Sequence, residues 1–156
     1  MSLEYRPANE LDINAMAELR ASEWGSVPYW QARIHGYWAG EIDPTQALKP
    51  RALFVAMDGD DLAGFIAGHL TRRYRCDGEL QWINVAKEQR RKGVASELLL
   101  LLAAWFGQHL AKRVCIDVDP DNQAGRSFYL RHGAAPLNRH WLVWPDISCL
   151  VPRDLP

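Results

Sequence analysis

Hydrophobic and polar positions along this chain follow two different periods, which together predict a fold of mixed strands and helices. Short alternating or apolar runs typical of strands cover residues 52–57, 62–67 and 79–85. The first two runs flank the polar segment 58–61, and we therefore expect them to pair as a hairpin. The third run follows a turn signal at Cys76-Asp77-Gly78.

A helical period replaces the alternation after residue 93. Apolar residues recur with helical spacing to about Ala111, and the segment 113–119 then alternates again as a strand. A strand, a helix and a strand of these lengths predict a right-handed crossover between parallel strands. Ligands of such sheets bind at the carboxyl ends of the strands, so the loop after residue 85 is the expected binding position.

Less regular patterns predict the other elements and the fold class. The first are a strand over 3–6 and a helix capped by Asn9 or Asp12, whose apolar stripe is Ile13, Met16, Ala17 and Leu19. An aromatic-rich helical region over 24–40 follows, and then a connection bracketed by Pro44 and Pro50. The last are a helix over 123–131 that ends at Gly133 and a closing strand over 140–144. The predicted class is α/β (α+β). It has a mixed sheet with an antiparallel N-terminal half, one parallel strand–helix–strand crossover and flanking helices.

Length and composition favour one globular domain spanning residues 1–156. The chain is 48% hydrophobic and 24% charged, which is typical of folded proteins rather than disordered ones. The net charge of −1 gives no general basic field, so nucleic acid is not an expected partner.

The cysteine and histidine patterns predict neither a disulfide framework nor a metal site. Cys76, Cys115 and Cys149 are an odd number without metal-ligand spacing, and the five histidines show none either. The first residues lack the apolar core of a signal peptide, and the longest apolar run, 98–106, is too short to span a bilayer. We therefore expect a cytoplasmic protein with reduced thiols and no membrane partner.

Three consecutive cations stand in the loop between the third strand and the long helix, in the sequence Arg90-Arg91-Lys92-Gly93-Val94-Ala95. A helix N-terminus presents backbone N–H groups without partners and a positive dipole end, and a glycine lets a ligand approach the main chain. The expected ligand is a phosphate group. Neither the nucleotide P-loop nor the dinucleotide glycine pattern is present.

A second motif follows the crossover, over residues 122–134. Asn122 and Tyr129 are seven residues apart, which is two helical turns, and they therefore share one helix face. The loop read as Arg90-x-x-Gly93-x-Ala95 resembles the pyrophosphate loop of the GNAT N-acetyltransferase superfamily. The later segment, with an asparagine before a Phe-Tyr pair and a glycine, resembles the other signature of that superfamily. Departures from its pattern are Lys87-Glu88-Gln89 in the lead-in, Ala95 for a glycine and Ala134 for a phenylalanine.

The resemblance implies direct transfer of an acetyl group from acetyl-CoA, as co-substrate, to a primary amine. It implies that main-chain groups of Ile83, Asn84 and Val85 hold the pantetheine arm and that backbone N–H groups from Arg91 to Ser96 hold the pyrophosphate. The full implied donor site is Ile83, Asn84, Val85, Arg90, Arg91, Lys92, Gly93, Val94, Ala95, Ser96, Asn122 and Phe128. Within this site Asn122 could hydrogen bond the pantetheine amides or simply cap its helix, and the two roles can coexist.

Tyr129 is the expected general acid, since a tyrosine is protonated at neutral pH and can protonate a departing thiolate. The base remains open between Asp117 and Glu79. Asp117 lies where ribosomal-protein alanine N-acetyltransferases carry a catalytic glutamate, and Glu79 where other GNAT members place one. Either carboxylate could equally be an ordinary strand-end or turn-exit charge.

The first function hypothesis is an N-acetyltransferase acting on a small-molecule amine, with an aromatic set at 24–38 near the acceptor. That set is Trp24, Tyr29, Trp30, Tyr37 and Trp38, and helix packing is the favoured explanation for it. The alternatives are acetylation of a protein N-terminus or lysine, and a non-catalytic acyl-CoA-binding regulatory module. Self-association into a homodimer is left open.

Overall fold

The computed structural model describes residues 3–151, and within them one seven-stranded sheet runs through the molecule. Its spatial order is β1-β2-β3-β4-β5-β7-β6. The strands are β1 Glu4–Pro7, β2 Ala47–Asp58, β3 Asp61–Thr71, β4 Gly78–Val85, β5 Val114–Asp117, β6 Ala135–Pro136 and β7 Trp141–Trp144. β4 and β5 pair in parallel, and the other neighbouring strands pair antiparallel. The predicted fold class is thereby confirmed.

Four α-helices cover the two faces of the sheet in the described part of the chain. They are α1 Ile13–Ala21, α2 Val27–Ala39, α3 Val94–Gln108 and α4 Gln123–Arg131. α2 begins because Ser26 accepts a hydrogen bond from the Tyr29 N–H, and it ends at Gly40 in the left-handed conformation. No described helix is both long and apolar enough to cross a membrane.

Alternation along β2 and β3 sends side chains into two separate cores. Val55 and Phe65 pack against α1 and α2, while Ala56 and Ile66 pack with the leucines of α3. Tyr129 of α4 belongs to the α3 side. The two helical layers therefore approach the sheet from opposite faces.

β4 and β5 separate soon after they begin, and this opens the sheet in its middle. Their pairing covers only Gly78–Leu80 against Val114–Ile116. On its other edge β4 carries one extra residue, Gln81, because Leu80 and Trp82 face consecutive residues of β3. Beyond this bulge β4 continues alongside β3 to Val85 without pairing to β5.

Several predicted boundaries were wrong. β2 begins at Ala47, so Pro50 lies inside a strand, at a register shift where its missing N–H removes no regular ladder bond. α3 ends at Gln108 rather than near residue 111, because Leu110 adopts a positive φ of 57°. β5 covers 114–117 rather than 113–119, and the two-residue β6 was not predicted. Of the two predicted caps, Asn9 caps a short 3-10 turn before α1, and Asp12 occupies the N-cap position of α1 without a side-chain cap hydrogen bond.

Candidate active site

A cleft of about 1250 Å³ occupies the opening between β4 and β5. One wall comes from the end of α1, the following loop and α2, and the other from the end of β5 and the start of α4. Seven of the predicted catalytic and donor-site residues line it: Glu79, Ile83, Asn84, Arg90, Asp117, Asn122 and Tyr129. Residues 38 or more positions apart in the chain, such as Glu79 and Asp117, thus share one cavity.

Tyr129 lies in the cleft wall on α4, with 6% of its surface exposed. Its ring packs edge-on against Trp144, with the ring centroids 5.8 Å apart, and this contact fixes its orientation. No described residue hydrogen bonds with its hydroxyl group. Burial raises the pKa of Tyr129 and the nearby Arg20 charge opposes that rise, so the hydroxyl is a proton donor at neutral pH.

Asp117 ends β5 and is exposed to the cleft. Partial burial raises the pKa of its carboxyl group, and the charges of Glu79 and Asp119 add to this effect while His140 and Arg73 oppose it. No described residue hydrogen bonds or forms an ion pair with this carboxylate. It is therefore free to accept a proton from a molecule in the cleft.

Glu79 lies deeper, with 5% of its surface exposed, and is surrounded by protein partners. Its Oε1 is 3.3 Å from Arg73 Nε and 3.6 Å from Nε2 of the buried His69. Behind His69, its Nδ1 shares a 2.8 Å hydrogen bond with the Tyr37 hydroxyl. Because Arg73 and His69 already contact Glu79, its carboxylate is less available to a molecule in the cleft than that of Asp117.

The loop before α3 offers an array of backbone donors. Arg91 and Gly93 both have positive φ, of 65° and 81°, and Gly93 precedes α3 without a side-chain cap. Within the described residues the N–H groups of 91–93 have no backbone acceptor, and the first-turn N–H groups of Val94, Ala95 and Ser96 have no helical partner. A Cβ added at Gly93 would meet no atom within 4 Å, so the space beside this residue is open.

Three side chains of the implied donor site serve packing. Val94 is 2% exposed and belongs to the α3 core. Ser96 Oγ lies 3.0 Å from His132 Nε2, and the Phe128 ring stacks on His132 with the centroids 4.3 Å apart. These residues can contribute backbone groups or support to the loop, but their side chains do not line the cleft.

The end of β4 is tied to α1 and to the basic loop. Asn84 Oδ1 accepts a hydrogen bond from Arg20 at 2.9 Å, and the Val85 carbonyl accepts one from Arg90 Nε at 3.2 Å. Arg90 also pairs with Glu23 at 3.2 Å. Lys92 is exposed in the same loop.

Asn122 caps α4, since its Oδ1 accepts a hydrogen bond from the Gly125 N–H at 3.0 Å. The capping alternative weighed for this residue is thereby confirmed, and its side chain still lines the cleft.

Several cleft residues could not be predicted from the sequence. Arg20 and Arg73 belong to no motif, and Arg20 reaches Asn84 across 64 positions of sequence. Gln81 did leave a trace. Leu80 and Trp82 are two positions apart, as on one face of a regular strand, but they lie in different cores. Alternation therefore breaks at the bulge, and a pattern break of this kind is the signal that could have found it.

The family model described as Acetyltransferase (GNAT) family matches residues 13–134. This span exceeds half of the chain, and the protein belongs to the GNAT acetyltransferase family. The matched span contains both the basic loop and the Asn122–Tyr129 segment, but begins after β1 and ends before β7.

Solved structures agree in fold. Ard1 from Thermoplasma volcanium is 17% identical with a TM-score of 0.73, over 92% of this chain and 95% of that chain. PaiA N-acetyltransferase from Thermoplasma acidophilum, in complex with coenzyme A, is 17% identical with a TM-score of 0.67, over 92% and 98%. The NatC complex bound to Gag peptide and CoA contains a chain 15% identical with a TM-score of 0.65, over 92% and 96%. No curated protein matches the chain in sequence.

Proposed function

We propose that this protein is an N-acetyltransferase that passes the acetyl group of acetyl-CoA directly to a primary amine of a small-molecule acceptor. The observation that carries the proposal is the position of Tyr129, whose buried side chain lines the cleft between β4 and β5 and whose raised pKa keeps its hydroxyl group protonated. A proton donor is needed there because the leaving group of the transfer is a thiolate.

The donor side of the site fits a CoA thioester on two grounds. The unpaired edge of β4 at Ile83 to Val85 can hydrogen bond an extended amide-containing arm, as a neighbouring strand would. The open loop with free N–H groups around Gly93, next to three cations, suits a pyrophosphate. When bound, acetyl-CoA supplies an activated acyl group, and PaiA from Thermoplasma acidophilum offers a precedent for coenzyme A on this fold.

Asp117 is the proposed general base, and Glu79 is proposed to hold Arg73 and His69 in place rather than to accept a proton. An acceptor ammonium must lose its proton before its nitrogen can attack a thioester carbonyl. Asp117 has a raised pKa and no protein partner among the described residues, whereas Glu79 is held by Arg73 and His69. As the carbon–sulfur bond breaks, Tyr129 protonates the departing sulfur atom, and the Tyr129 phenolate takes up the second proton that the nitrogen loses on becoming an amide.

The test is release of free thiol from acetyl-CoA by the purified protein, measured against amines, polyamines, amino acids and peptides. We expect thiol release that depends on a small amine, with the acetylated amine detected by mass spectrometry. Failure to bind CoA, measured by calorimetry, would refute the proposal, and so would binding without transfer to any acceptor.

A second candidate function is acetylation of a protein N-terminus. The chain of the NatC complex bound to Gag peptide shares this fold, and Ard1 does as well. Acetylation of peptides without any acetylation of small amines would favour this function over the first.

A further inference from the structure

Four arginines line the cleft, and they differ in how their charges are balanced. Arg73 lies 3.3 Å from Glu79, and Arg90 pairs with Glu23 at 3.2 Å. Arg20 and Arg33 have no carboxylate within ion-pair distance among residues 3–151. The cleft therefore contains two cations that have no ion-pair partner within the described part of the chain.

Arg20 is the more confined of these two. Its guanidinium lies over the Trp30 ring, 4.4 Å from the ring centroid, and Nη1 donates to the neutral amide oxygen of Asn84. Nε is buried without a hydrogen-bond partner, and Nη2 has none within the described chain. Burial lowers the pKa of Arg20, as expected for a cation that has lost water without gaining an anion.

The carboxylate that acts on the Arg20 charge is engaged elsewhere. Glu23 follows Arg20 by three residues and contributes to its electrostatic environment, but its Oε1 bonds to Arg90. Asn84 contributes a dipole rather than a charge. The guanidinium is thus held in place by Trp30 and Asn84 with its Nη2 side unused, an arrangement that suits a carboxylate, which forms its strongest hydrogen bonds with such a fork.

We propose that Arg20 binds the carboxylate of the acceptor and that the acceptor is an α-amino acid with an apolar side chain. This inference rests on the acetyltransferase function proposed above and names its substrate class. The amine and the carboxylate of an α-amino acid are separated by a single carbon atom, so a cation beside the reacting position can hold the carboxylate while the amine faces the thioester.

Two features place Arg20 near the reaction and an apolar group beside it. Arg20 and Tyr129 line the same cleft, and the Arg20 charge lowers the pKa of Tyr129 against the effect of burial, so the two groups interact electrostatically. Trp24, Tyr29 and Trp30 form one aromatic cluster on the same wall, with centroids 4.9 to 5.6 Å apart. Trp24 and Tyr29 are 56% and 46% exposed, and these faces can cover an apolar side chain.

The experiment compares L-phenylalanine with L-phenylalaninamide as acceptors, using wild-type protein, Arg20→Gln and Arg20→Lys. The amide has the same side chain and amine but no carboxylate. Since the two amines differ in basicity, the quantity compared is the ratio of kcat/KM between variant and wild type for each acceptor, in which that difference cancels. Arg131→Gln is the matched control, because Arg131 is exposed at the end of α4 and lies outside the cleft.

We expect Arg20→Gln to lower kcat/KM for phenylalanine by about 10- to 100-fold, mostly through KM, as for loss of a charged hydrogen bond. For phenylalaninamide the loss should stay below about 3-fold, since no such bond exists there. Arg20→Lys should fall between, because lysine keeps the charge and loses the planar fork. Arg131→Gln should match wild type with both acceptors.

An equal loss with both acceptors would overturn the proposal, because Arg20 would then serve the reaction or the fold rather than the carboxylate. Wild-type protein that acetylates peptides or polyamines but neither phenylalanine compound would also overturn it, while leaving the acetyltransferase function standing. Wild-type protein that binds no CoA would overturn both.

Discussion

At the scale of single residues, Tyr129 combines a buried ring with a hydroxyl group that no described residue engages. Tyr129→Phe should therefore fold normally, with a free energy of unfolding within about 1 kcal/mol of wild type. The rate of acetyl transfer should fall by about 10²- to 10³-fold, the usual contribution of a positioned proton donor. CoA affinity should be unchanged. Stopped-flow thiol release and urea denaturation measure these quantities.

Tyr5→Phe provides the control for Tyr129→Phe, because it removes a partly buried hydroxyl of β1 that lies outside the cleft. It should retain wild-type turnover. A Tyr129→Phe variant as active as Tyr5→Phe would show that a different group protonates the sulfur atom.

The raised pKa of Asp117 predicts where activity is lost on acidification. A base must be unprotonated, so a carboxylate with a raised pKa stops functioning at a higher pH than an ordinary aspartate. The acid limb of kcat/KM should accordingly lie above the usual aspartate range and disappear in Asp117→Asn, with a rate loss of about 10²-fold or more. The raised pKa has a different consequence for stability, because it means that the charged carboxylate is less favourable in the folded state than in the unfolded state. Because the folded state favours the protonated form, Asp117→Asn should not lower Tm at neutral pH.

The variant Glu79→Gln distinguishes the role of Glu79 from that of Asp117. It leaves Arg73 without its counter-ion in a largely buried position and should lower the free energy of unfolding by about 1–3 kcal/mol. The acid limb should persist but move to lower pH, because the charge of Glu79 no longer helps to raise the pKa of Asp117. Loss of the limb in Glu79→Gln, with its retention in Asp117→Asn, would reverse the assignment of base and positioning group.

Residues within motifs could be predicted from sequence, whereas residues assembled by tertiary contacts could not. Tyr129 and Asn122 share a helix face by spacing alone, and the structure has both in the cleft wall. Arg20 offers no such local signal, because its surroundings come from α2 and β4. The functions of all these residues stay predictions.

At the scale of elements, the turn from β4 into α3 depends on a left-handed residue at Gly93. Gly93→Ala should cost about 1–2 kcal/mol of backbone strain, because φ is +81°. Its new Cβ would also occupy the open side of the loop, where we expect the pyrophosphate. CoA affinity, measured by calorimetry, should fall by about 10-fold or more, a free-energy change of about 1.4 kcal/mol.

Gly59→Ala is the matched control for Gly93→Ala. Gly59 also has a positive φ, of 62°, and a Cβ there would likewise meet no atom within 4 Å, but it lies in the turn between β2 and β3. It should lose similar stability and keep full CoA affinity. Equal losses of affinity in both variants would mean that the effect comes from stability rather than from the loop.

Element types followed from hydrophobic period, but element ends did not. The hairpin, β4 and α4 appear where alternation and helical spacing predicted them. The predicted connection up to Pro50 was wrong. Proline usually marks a connection, while here an irregular register tolerates it in β2. The bulge at Gln81 was missed, although it separates β4 from β5 and so creates the cleft.

At the scale of the whole molecule, the cleft is lined by two helical layers that pack on opposite faces of the sheet and have separate hydrophobic cores. α1 and α2 supply the proposed acceptor wall from one face of the sheet, and α3 and α4 supply the proposed donor loop and Tyr129 from the other. The position of the reacting groups therefore depends on the distance between β4 and each helical layer. A change in that distance should alter the cleft, and hence turnover, even when no residue that lines the cleft is substituted.

Gly78 tests this dependence, because it lies at the start of β4 where α3 approaches most closely. A Cβ there would be 2.3 Å from Cε1 of Phe106, a ring that is only 1% exposed and has no room to move. Gly78→Ala should lower the free energy of unfolding by about 1–3 kcal/mol, as overpacking does, and should reduce turnover by displacing β4. Gly107→Ala, in α3 with no atom within 4 Å of its Cβ, should instead be neutral or stabilise by up to about 1 kcal/mol.

The clash at Gly78 also predicts a rescue. Phe106→Leu alone should destabilise the protein by leaving a void, but combined with Gly78→Ala it removes the ring atoms that the new methyl group meets. The double variant should be more stable than the sum of the single losses by about 1 kcal/mol or more, in a double-mutant cycle measured by urea denaturation. Recovered turnover in the double variant would show that the spacing between α3 and β4 sets the geometry of the cleft. Strict additivity would show that β4 yields to the methyl group without strain, and the dependence on layer spacing would be refuted.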